Sequence, residues 1–229
     1  MPPPPPSRQP EARSLGWAET GAGQDMLAEV QRMAIPELTR VFGQIGLYLR
    51  PSRSIVPELS GNMLGLVVSL SHAQGGLEGP FRCLDQALPV SSASLSLVYG
   101  LFALECSPDP ELLVHEIARM LKPDAVALLI GFNPWGAARL RWRLRGARVG
   151  IHAQVDRLAR DSRLELVRRH TLGPVWPFPM RAHAKDAGPR WFDRFRVAEL
   201  VVLRRRDIAL TPLRKSMPAV SLRPGLSPG

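Results

Sequence analysis

The amino-acid sequence predicts a three-layer α/β fold, in which helices cover both faces of a largely parallel sheet. A strand–helix–strand pattern occupies residues 95–132, and such a unit joins two parallel strands of one sheet. The last strand of that unit, Ala125–Phe132, is apolar throughout. Parallel strands that are covered on both faces have this composition, which places the unit in the interior of the sheet.

The N-terminal half contributes one predicted helix and three predicted strands. Apolar residues recur at helical spacing over 24–40, and only Pro36 interrupts the pattern. Two short apolar runs, Gln44–Leu49 and Met63–Leu70, predict strands. A third strand is expected at Phe81–Leu84.

The best-specified helix lies inside the strand–helix–strand unit. It follows the predicted strand Leu95–Leu101, begins with Asp109 as its N-cap and has Pro110 at its first helical position. Pro123 ends it, because proline disfavours helical geometry in the residue before it. We therefore expect a helix over 109–121 that connects two adjacent interior strands.

The C-terminal part is predicted to complete the domain with shorter elements. Residues 152–161 predict a short helix, and Leu164–Arg169 and Phe195–Leu203 predict two late strands. The stretch 173–190 between these strands is rich in Pro, Gly and Ala, so we expect a long loop there.

The two ends of the chain lack the apolar content of a folded segment. Residues 1–23 begin with a run of prolines, and residues 216–229 contain three prolines among Ser and Gly. Such segments cannot bury enough apolar surface to offset the entropy of ordering. We therefore predict disordered tails at 1–23 and 216–229, and one α/β domain over 24–215.

Composition excludes several classes of protein. With 229 residues and a hydrophobic fraction of 45%, the chain can form a core of its own. The sequence has neither an apolar run of about 18 residues nor a secretory signal, so neither a membrane-spanning helix nor secretion is predicted. Cys83 and Cys106 are too few for a disulfide framework, and no histidine has metal-ligand spacing. We expect a cytoplasmic protein without a metal site.

The basic charge is confined to the C-terminal part. Residues 1–130 have a net charge of −4 and residues 131–229 a net charge of +14, which together give the +10 of the whole chain. An Arg-rich segment at 139–148 alternates Arg with Leu and Trp. An anionic substrate, nucleic acid and the surface of an anionic membrane are each compatible with this charge, and so is an ordinary solvated face.

Residues 81–133 resemble the second half of a class I S-adenosylmethionine-dependent methyltransferase domain of the type 11 group. The matching positions are Asp85, Leu88–Pro89, Leu95, Glu105, Asp109–Pro110, Glu116, Arg119 and Leu121–Lys122–Pro123. The run Gly131–Trp135 and a later Thr211–Arg214 are similar to a small bacterial branch of that group. The resemblance implies a Rossmann-like methyltransferase sheet that is mostly parallel, with a late antiparallel strand.

The resemblance also implies a function and a set of cofactor-binding residues. It implies an enzyme that uses S-adenosylmethionine to methylate an acceptor that the sequence does not identify, and no catalytic residue is assigned. Asp85 matches the residue beside the adenine, with a loop cap as the alternative. Gly43 and Gly46 are candidates for the glycine turn after the first strand, with ordinary strand glycines as the alternative. Phe102 is a candidate to pack on the adenine, with a core aromatic as the alternative.

Several positions depart from the pattern of the group. Ser96 stands where the group has Asp, Asp124–Ala125 stands where it has two glycines, and no acidic residue follows the second strand directly. These departures leave two other functions open. One is a catalytically inactive interaction protein with the same fold, and the other is a basic protein that binds nucleic acid or a membrane surface.

Overall fold

The computed structural model describes residues 16–73, 76–136, 149–175 and 190–206. Within them the strands form one eight-stranded sheet in the order β4-β3-β2-β1-β5-β6-β8-β7. The strands are β1 (Phe42–Arg50), β2 (Met63–Ala73), β3 (Gly76–Glu78), β4 (Arg82–Cys83), β5 (Leu95–Leu101), β6 (Leu121–Phe132), β7 (Leu164–Leu172) and β8 (Ala198–Arg205). The α-helices are α1 (Gly21–Leu38), α2 (Ala103–Cys106), α3 (Pro110–Met120) and α4 (Val155–Asp161).

The centre of the sheet is parallel, as predicted. Strands β2, β1, β5 and β6 are successive parallel neighbours, which confirms that 95–101 and 125–132 are adjacent interior strands. Strand β8 lies between β6 and β7 and is antiparallel to both, which confirms the late antiparallel strand. The carboxyl ends of β1, β2, β5, β6 and β7 therefore share one edge, which we call the carboxyl edge.

Helices pack on both faces, which gives the three predicted layers. The buried apolar residues of α1 form one hydrophobic cluster with one face of the sheet. Those of α3 and α4 form a second cluster with the opposite face. No helix in the described ranges combines the length and the apolar character that crossing a membrane requires.

The folded part begins earlier than predicted. Helix α1 starts at Gly21 because the side chain of Thr20 accepts a hydrogen bond from the Gly23 N–H, at 3.2 Å. A 3₁₀ turn, Gly16–Glu19, precedes the helix, and Ala18 in that turn is fully buried. Residues 16–23, assigned above to the N-terminal tail, therefore belong to the domain. The rest of both predicted tails lies outside the described residues.

Helix α3 has the predicted cap and an additional one at its other end. The Asp109 side chain accepts from the Leu112 N–H at 3.1 Å. At the carboxyl end, the guanidinium of Arg205 on β8 donates to the carbonyls of Ala118, Arg119 and Leu121. The helix ends at Met120, and β6 begins directly after it.

The link between β1 and β2, residues 51–62, contains no helix, although parallel strands are usually joined by one. The side chain of Gln31 in α1 holds this segment through hydrogen bonds. Its Oε1 accepts from the Tyr48 hydroxyl at 2.8 Å and from the Glu58 N–H at 3.1 Å, and its Nε2 donates to the Val56 carbonyl at 3.2 Å. One buried amide thus joins the helix, the sheet and the link.

Other predicted elements differ in extent. The expected third strand at 81–84 is reduced to the two residues of β4, at the end of an antiparallel β2–β3–β4 meander. The helix predicted at 152–161 is a 3₁₀ turn, Ile151–Gln154, followed by α4. The Arg-rich segment 139–148, most of the predicted loop 173–190 and the Thr211–Arg214 motif lie outside the described residues.

Candidate functional site

The carboxyl edge is where an open α/β sheet binds its ligand, at the point where the strand order reverses. Here that point is β1, because the chain continues from β1 to β2 on one side and later returns to β5 on the other. The residues that follow β1, β2, β5 and β6 at this edge therefore define the candidate site.

The turn after β1 is polar and basic, and it contains no glycine. It reads Pro51–Ser52–Arg53–Ser54, and the side chain of Arg53 is exposed. Arg50 donates from Nη1 to the Ile55 carbonyl at 2.6 Å, which closes the turn. The hydroxyls of Ser52 and Ser54 lie 3.1 Å apart. The Ser52 hydroxyl also donates to Glu19 Oε1 at 3.5 Å, so the turn offers a ligand the exposed guanidinium of Arg53 beside hydroxyls that are already bonded within the protein.

Gly43 and Gly46 lie inside β1 and not in the turn after it. A Cβ at Gly43 would fall within 3.0 Å of the Ser96 side chain, and one at Gly46 within 3.0 Å of Leu64. The two glycines therefore make room for side chains of β5 and β2. They are therefore not part of the turn after β1, and the alternative of strand glycines accounts for their described contacts, while a cofactor-binding role for them stays a prediction.

Asp85 follows β4, as predicted, and is buried with 2% of its surface exposed. Its Oδ2 accepts from the Ser107 hydroxyl at 2.5 Å, and the Ser107 oxygen accepts from the Asp109 N–H at 3.2 Å. The described contacts of Asp85 thus join the end of β4 to the segment before α3. This is the role of a loop cap, the alternative given above.

Truncating this pair is expected to cost stability. Because Ser107 donates to a buried carboxylate, a double-mutant cycle of Asp85→Ala and Ser107→Ala should give a coupling of about 1.5–3 kcal/mol in the free energy of unfolding. Denaturant titration measures it. A coupling near zero would contradict the structural role. Asp85→Asn that keeps its stability and loses cofactor affinity would restore the predicted adenine contact.

Phe102 directly follows β5 at the carboxyl edge and is completely buried. Its ring meets Phe132 edge-on with centroids 4.7 Å apart, and its N–H donates to the Ile130 carbonyl at 2.7 Å. Its φ of +49° is unusual for a bulky residue and turns the chain directly into α2. Phe102 is thus packed in the core, which is the alternative given above, and its contact with an adenine stays a prediction.

A buried acid–imidazole pair lies next to this turn. Glu105 of α2 and His152 of the 3₁₀ turn before α4 have fully buried side chains, with Glu105 Oε1 3.7 Å from His152 Nδ1. Glu105 Oε1 also accepts from the Phe132 N–H at 3.0 Å. Glu105 Oε2 and both ring nitrogens lack hydrogen-bond partners among the described residues.

Burial drives both members of the pair toward their neutral forms. It raises the pKa of Glu105 to about 7, against the opposing effect of the Phe132 N–H. Burial, together with the nearby guanidinium of Arg169, lowers the pKa of His152 to about 4, against the opposing effect of backbone groups of Leu129 and Glu199. Sequence analysis matched Glu105 to a family position but did not assign it a role, and it gave no indication of His152.

The side chains of Glu105 and His152 occupy the space that a Cβ at Gly131 would fill. A Cβ at Gly131 would fall within 3.0 Å of Glu105 Oε1 and of two atoms of the His152 ring. The glycine of the Gly131–Trp135 run is therefore required by the pair beside it. Sequence analysis identified that run but not the reason for its glycine.

The end of β2 carries a second unpartnered imidazole. His72 is 9% exposed, and neither of its ring nitrogens has a hydrogen-bond partner among the described residues. Burial lowers the pKa of His72 to about 4, so the ring is neutral near pH 7. It stands at the strand end where the resemblance leads one to expect an acidic residue.

The turn after β6 is held by hydrogen bonds of Asn133 and presents an aromatic side chain. The side chain of Asn133 donates to the carbonyls of Arg194 and Arg196 at 2.8 and 2.7 Å, and it accepts from the Trp135 N–H at 3.0 Å. Trp135 is 77% exposed despite its size. An exposed indole on a fixed turn suits contact with a ligand or partner.

Two further features of the described residues bear on the site. A cleft of about 170 Å³ between the start of α3 and the 3₁₀ turn before α4 is smaller than the ~300–1,000 Å³ typical of small-molecule pockets. Within the described ranges, no three His, Cys, Asp or Glu side chains come together as a metal site.

Comparison by sequence finds no relative. No protein-family profile matches the chain, and no curated protein does. Solved structures match it at the level of the fold. A chain from the complex of the Haloferax volcanii Trm112 methyltransferase activator with a methyltransferase has a TM-score of 0.54 at 14% identity, over 84% of this chain and 95% of that one.

Two further matches are described as methyltransferases. The N-methyltransferase NodS of Bradyrhizobium japonicum, in complex with S-adenosylhomocysteine, has a TM-score of 0.52 at 10% identity, over 84% of this chain and 92% of NodS. The geranyl diphosphate C-methyltransferase of Streptomyces coelicolor, also with S-adenosylhomocysteine, has a TM-score of 0.51 at 16% identity, over 84% and 86%. At these identities the likeness shows the fold, which is the Rossmann-like fold of class I methyltransferases.

Proposed function

We propose that this protein is an S-adenosylmethionine-dependent methyltransferase whose cofactor binds at the carboxyl edge, beside β1. The observation that carries the proposal is the sheet itself. Its central strands β2-β1-β5-β6 are parallel, and the late strand β8 is inserted antiparallel. The methyltransferases reported above, two of them in complex with S-adenosylhomocysteine, match this chain over 84% of its length.

The residues at the carboxyl edge fit part of this cofactor. Arg53 and the hydroxyls of Ser52 and Ser54 suit the carboxylate of its amino-acid end. The neutral ring of His72 has one donor and one acceptor for ribose hydroxyls, and the described residues engage neither. Without a glycine turn, however, the backbone cannot approach the cofactor closely. We therefore expect weak binding.

The chemistry requires little from the protein. The bound cofactor supplies a methyl group that its positive sulfur makes electrophilic, so the chain's task is to position the acceptor and exclude water. We place the acceptor near the turn fixed by Asn133, because that turn presents the exposed indole of Trp135. The net charge of +14 on residues 131–229 favours an acceptor that carries anionic groups.

Calorimetry with purified protein tests the proposal. Both S-adenosylmethionine and S-adenosylhomocysteine are expected to bind, and His72→Ala should weaken that binding about tenfold, the effect of one lost hydrogen bond. His170→Ala, on the distant edge strand β7, removes an exposed imidazole and serves as the matched control. No heat of binding with either ligand would contradict the proposal and favour an interaction protein that retains only the fold.

A further inference from the structure

We propose that Glu105 and His152 are a matched positioning pair: both are neutral in the folded protein in mildly acidic solution, and together they hold α2 against the carboxyl end of β6. The pair lies beside Phe102 and the turn of Asn133, which lead from β5 and β6 into the candidate site. The inference depends on the proposed function only for the identity of the ligand at that edge.

The contacts show how the pair acts on position. Glu105 is in a single helical turn, and its Oε1 accepts the Phe132 N–H of β6 at 3.0 Å. Phe132 directly precedes Asn133, and the side chain of Asn133 holds the turn that presents Trp135. The carboxyl group of Glu105 therefore connects the end of β5 to the end of β6 through one hydrogen bond. The Nδ1 of His152 lies 3.7 Å from the same Oε1 atom.

The charged side chains near the pair form ion pairs with one another. Arg169 of β7 forms ion pairs with Asp156 of α4 and Glu199 of β8. On α2 itself, burial raises the pKa of the neighbouring thiol of Cys106 well above its usual range. The buried residues of α3 are all apolar. Among the described residues, neither Glu105 nor His152 is hydrogen-bonded to a charged partner of its own.

Two fully buried groups without such a partner must each become neutral on folding, since burying an isolated charge is prohibitively unfavourable. Near pH 5.5, the unfolded chain has an ionised Glu105 and a protonated His152. Folding then adds a proton to the carboxyl and removes one from the imidazole. The two changes cancel, so the pair leaves stability independent of pH between about 4.5 and 6.5.

When one member of the pair is replaced, the stability of the protein should depend on pH through the ionisation of the other member. In Glu105→Gln only the imidazole remains, its pKa is depressed in the folded state, and stability is lost as pH falls. In His152→Asn only the carboxyl remains, its pKa is raised in the folded state, and stability is lost as pH rises. From about pH 4.5 to 6.5, the unfolding equilibrium should shift about 40-fold toward folded for Glu105→Gln and about 40-fold toward unfolded for His152→Asn, relative to the wild-type chain.

The experiment is denaturant unfolding of the full chain at these two pH values, with the double variant and the surface control His170→Asn. The double variant and the control are expected to follow the wild-type chain. Parallel pH profiles for all five proteins would overturn the proposal, because a purely structural role predicts a loss of stability that does not depend on pH.

A second measurement needs no variant and so remains valid if the substitutions prevent folding. The ¹³C chemical shift of the Glu105 carboxyl, measured by NMR near pH 6, should be that of a protonated carboxylic acid. The shift of a carboxylate would show an ion pair and overturn the neutral pair. Neither measurement involves a cofactor, so the failure of the proposed function would leave both outcomes interpretable.

Discussion

Gly131→Ala is expected to destabilise the protein by roughly 3 kcal/mol or more, although it adds only one methyl group. The new Cβ would fall within 3.0 Å of Glu105 Oε1 and of the His152 ring, both completely buried. Overpacking a core costs about 1–3 kcal/mol, and displacing Glu105 would leave the Phe132 N–H without its acceptor at a further cost of about 1–3 kcal/mol.

Thermal unfolding measures this effect. For a chain of this length, a loss of about 3 kcal/mol lowers the melting temperature by about 10 °C. The matched control is Gly21→Ala in the first turn of α1, where an added Cβ meets nothing within 4 Å. That control should leave stability unchanged or raise it slightly. Similar melting temperatures for the two variants would show that β6 can shift to accommodate the methyl group.

Gln31→Leu is expected to cost about 2–3 kcal/mol and to release the link between β1 and β2. The substitution keeps the volume of the side chain but leaves the Tyr48 hydroxyl, the Glu58 N–H and the Val56 carbonyl without their partner. Each unsatisfied buried polar group costs about 1–3 kcal/mol, although the part of the link near the surface can recover bonds to water.

Hydrogen exchange locates this effect as well as measuring its size. We expect faster exchange of the Glu58 N–H and of other amides of residues 51–62, together with a lower unfolding free energy. Arg32→Ala, at the next position of α1, removes an exposed ion pair with Glu29 and should change stability by less than about 1 kcal/mol. If exchange in the link stayed unchanged in Gln31→Leu, the link would be held by its apolar contacts alone.

The parts of the fold that local chemistry determines were predictable from the sequence. The cap at Asp109 and the apolar run of β6 depend on neighbouring residues, and both were confirmed. Gln31 gave no such indication, because its partners lie between 17 and 27 positions away along the chain. A polar residue within an apolar helical pattern does not show which distant groups it will bind.

The candidate site was less predictable for the same reason. The resemblance led to Asp85 and Phe102, yet their described contacts are with Ser107 and Phe132. Glu105 and His152 are separated by 47 positions, and only the folded sheet brings them together. The two side chains can approach each other only because Gly131 has no Cβ. The sequence shows the glycine, but it does not show which distant side chains fill the space beside it.

Because β8 lies between β6 and β7, the sheet can be completed only late in the synthesis of the chain. The strand is the last in sequence among the described residues, yet it lies between β6 and β7, and its Arg205 caps the carboxyl end of α3. A nascent chain that stops before Ala198 therefore presents an apolar, unpaired edge of β6 to the cell. Such an edge is prone to aggregation, so we expect the domain to stay vulnerable until residues 198–205 have left the ribosome.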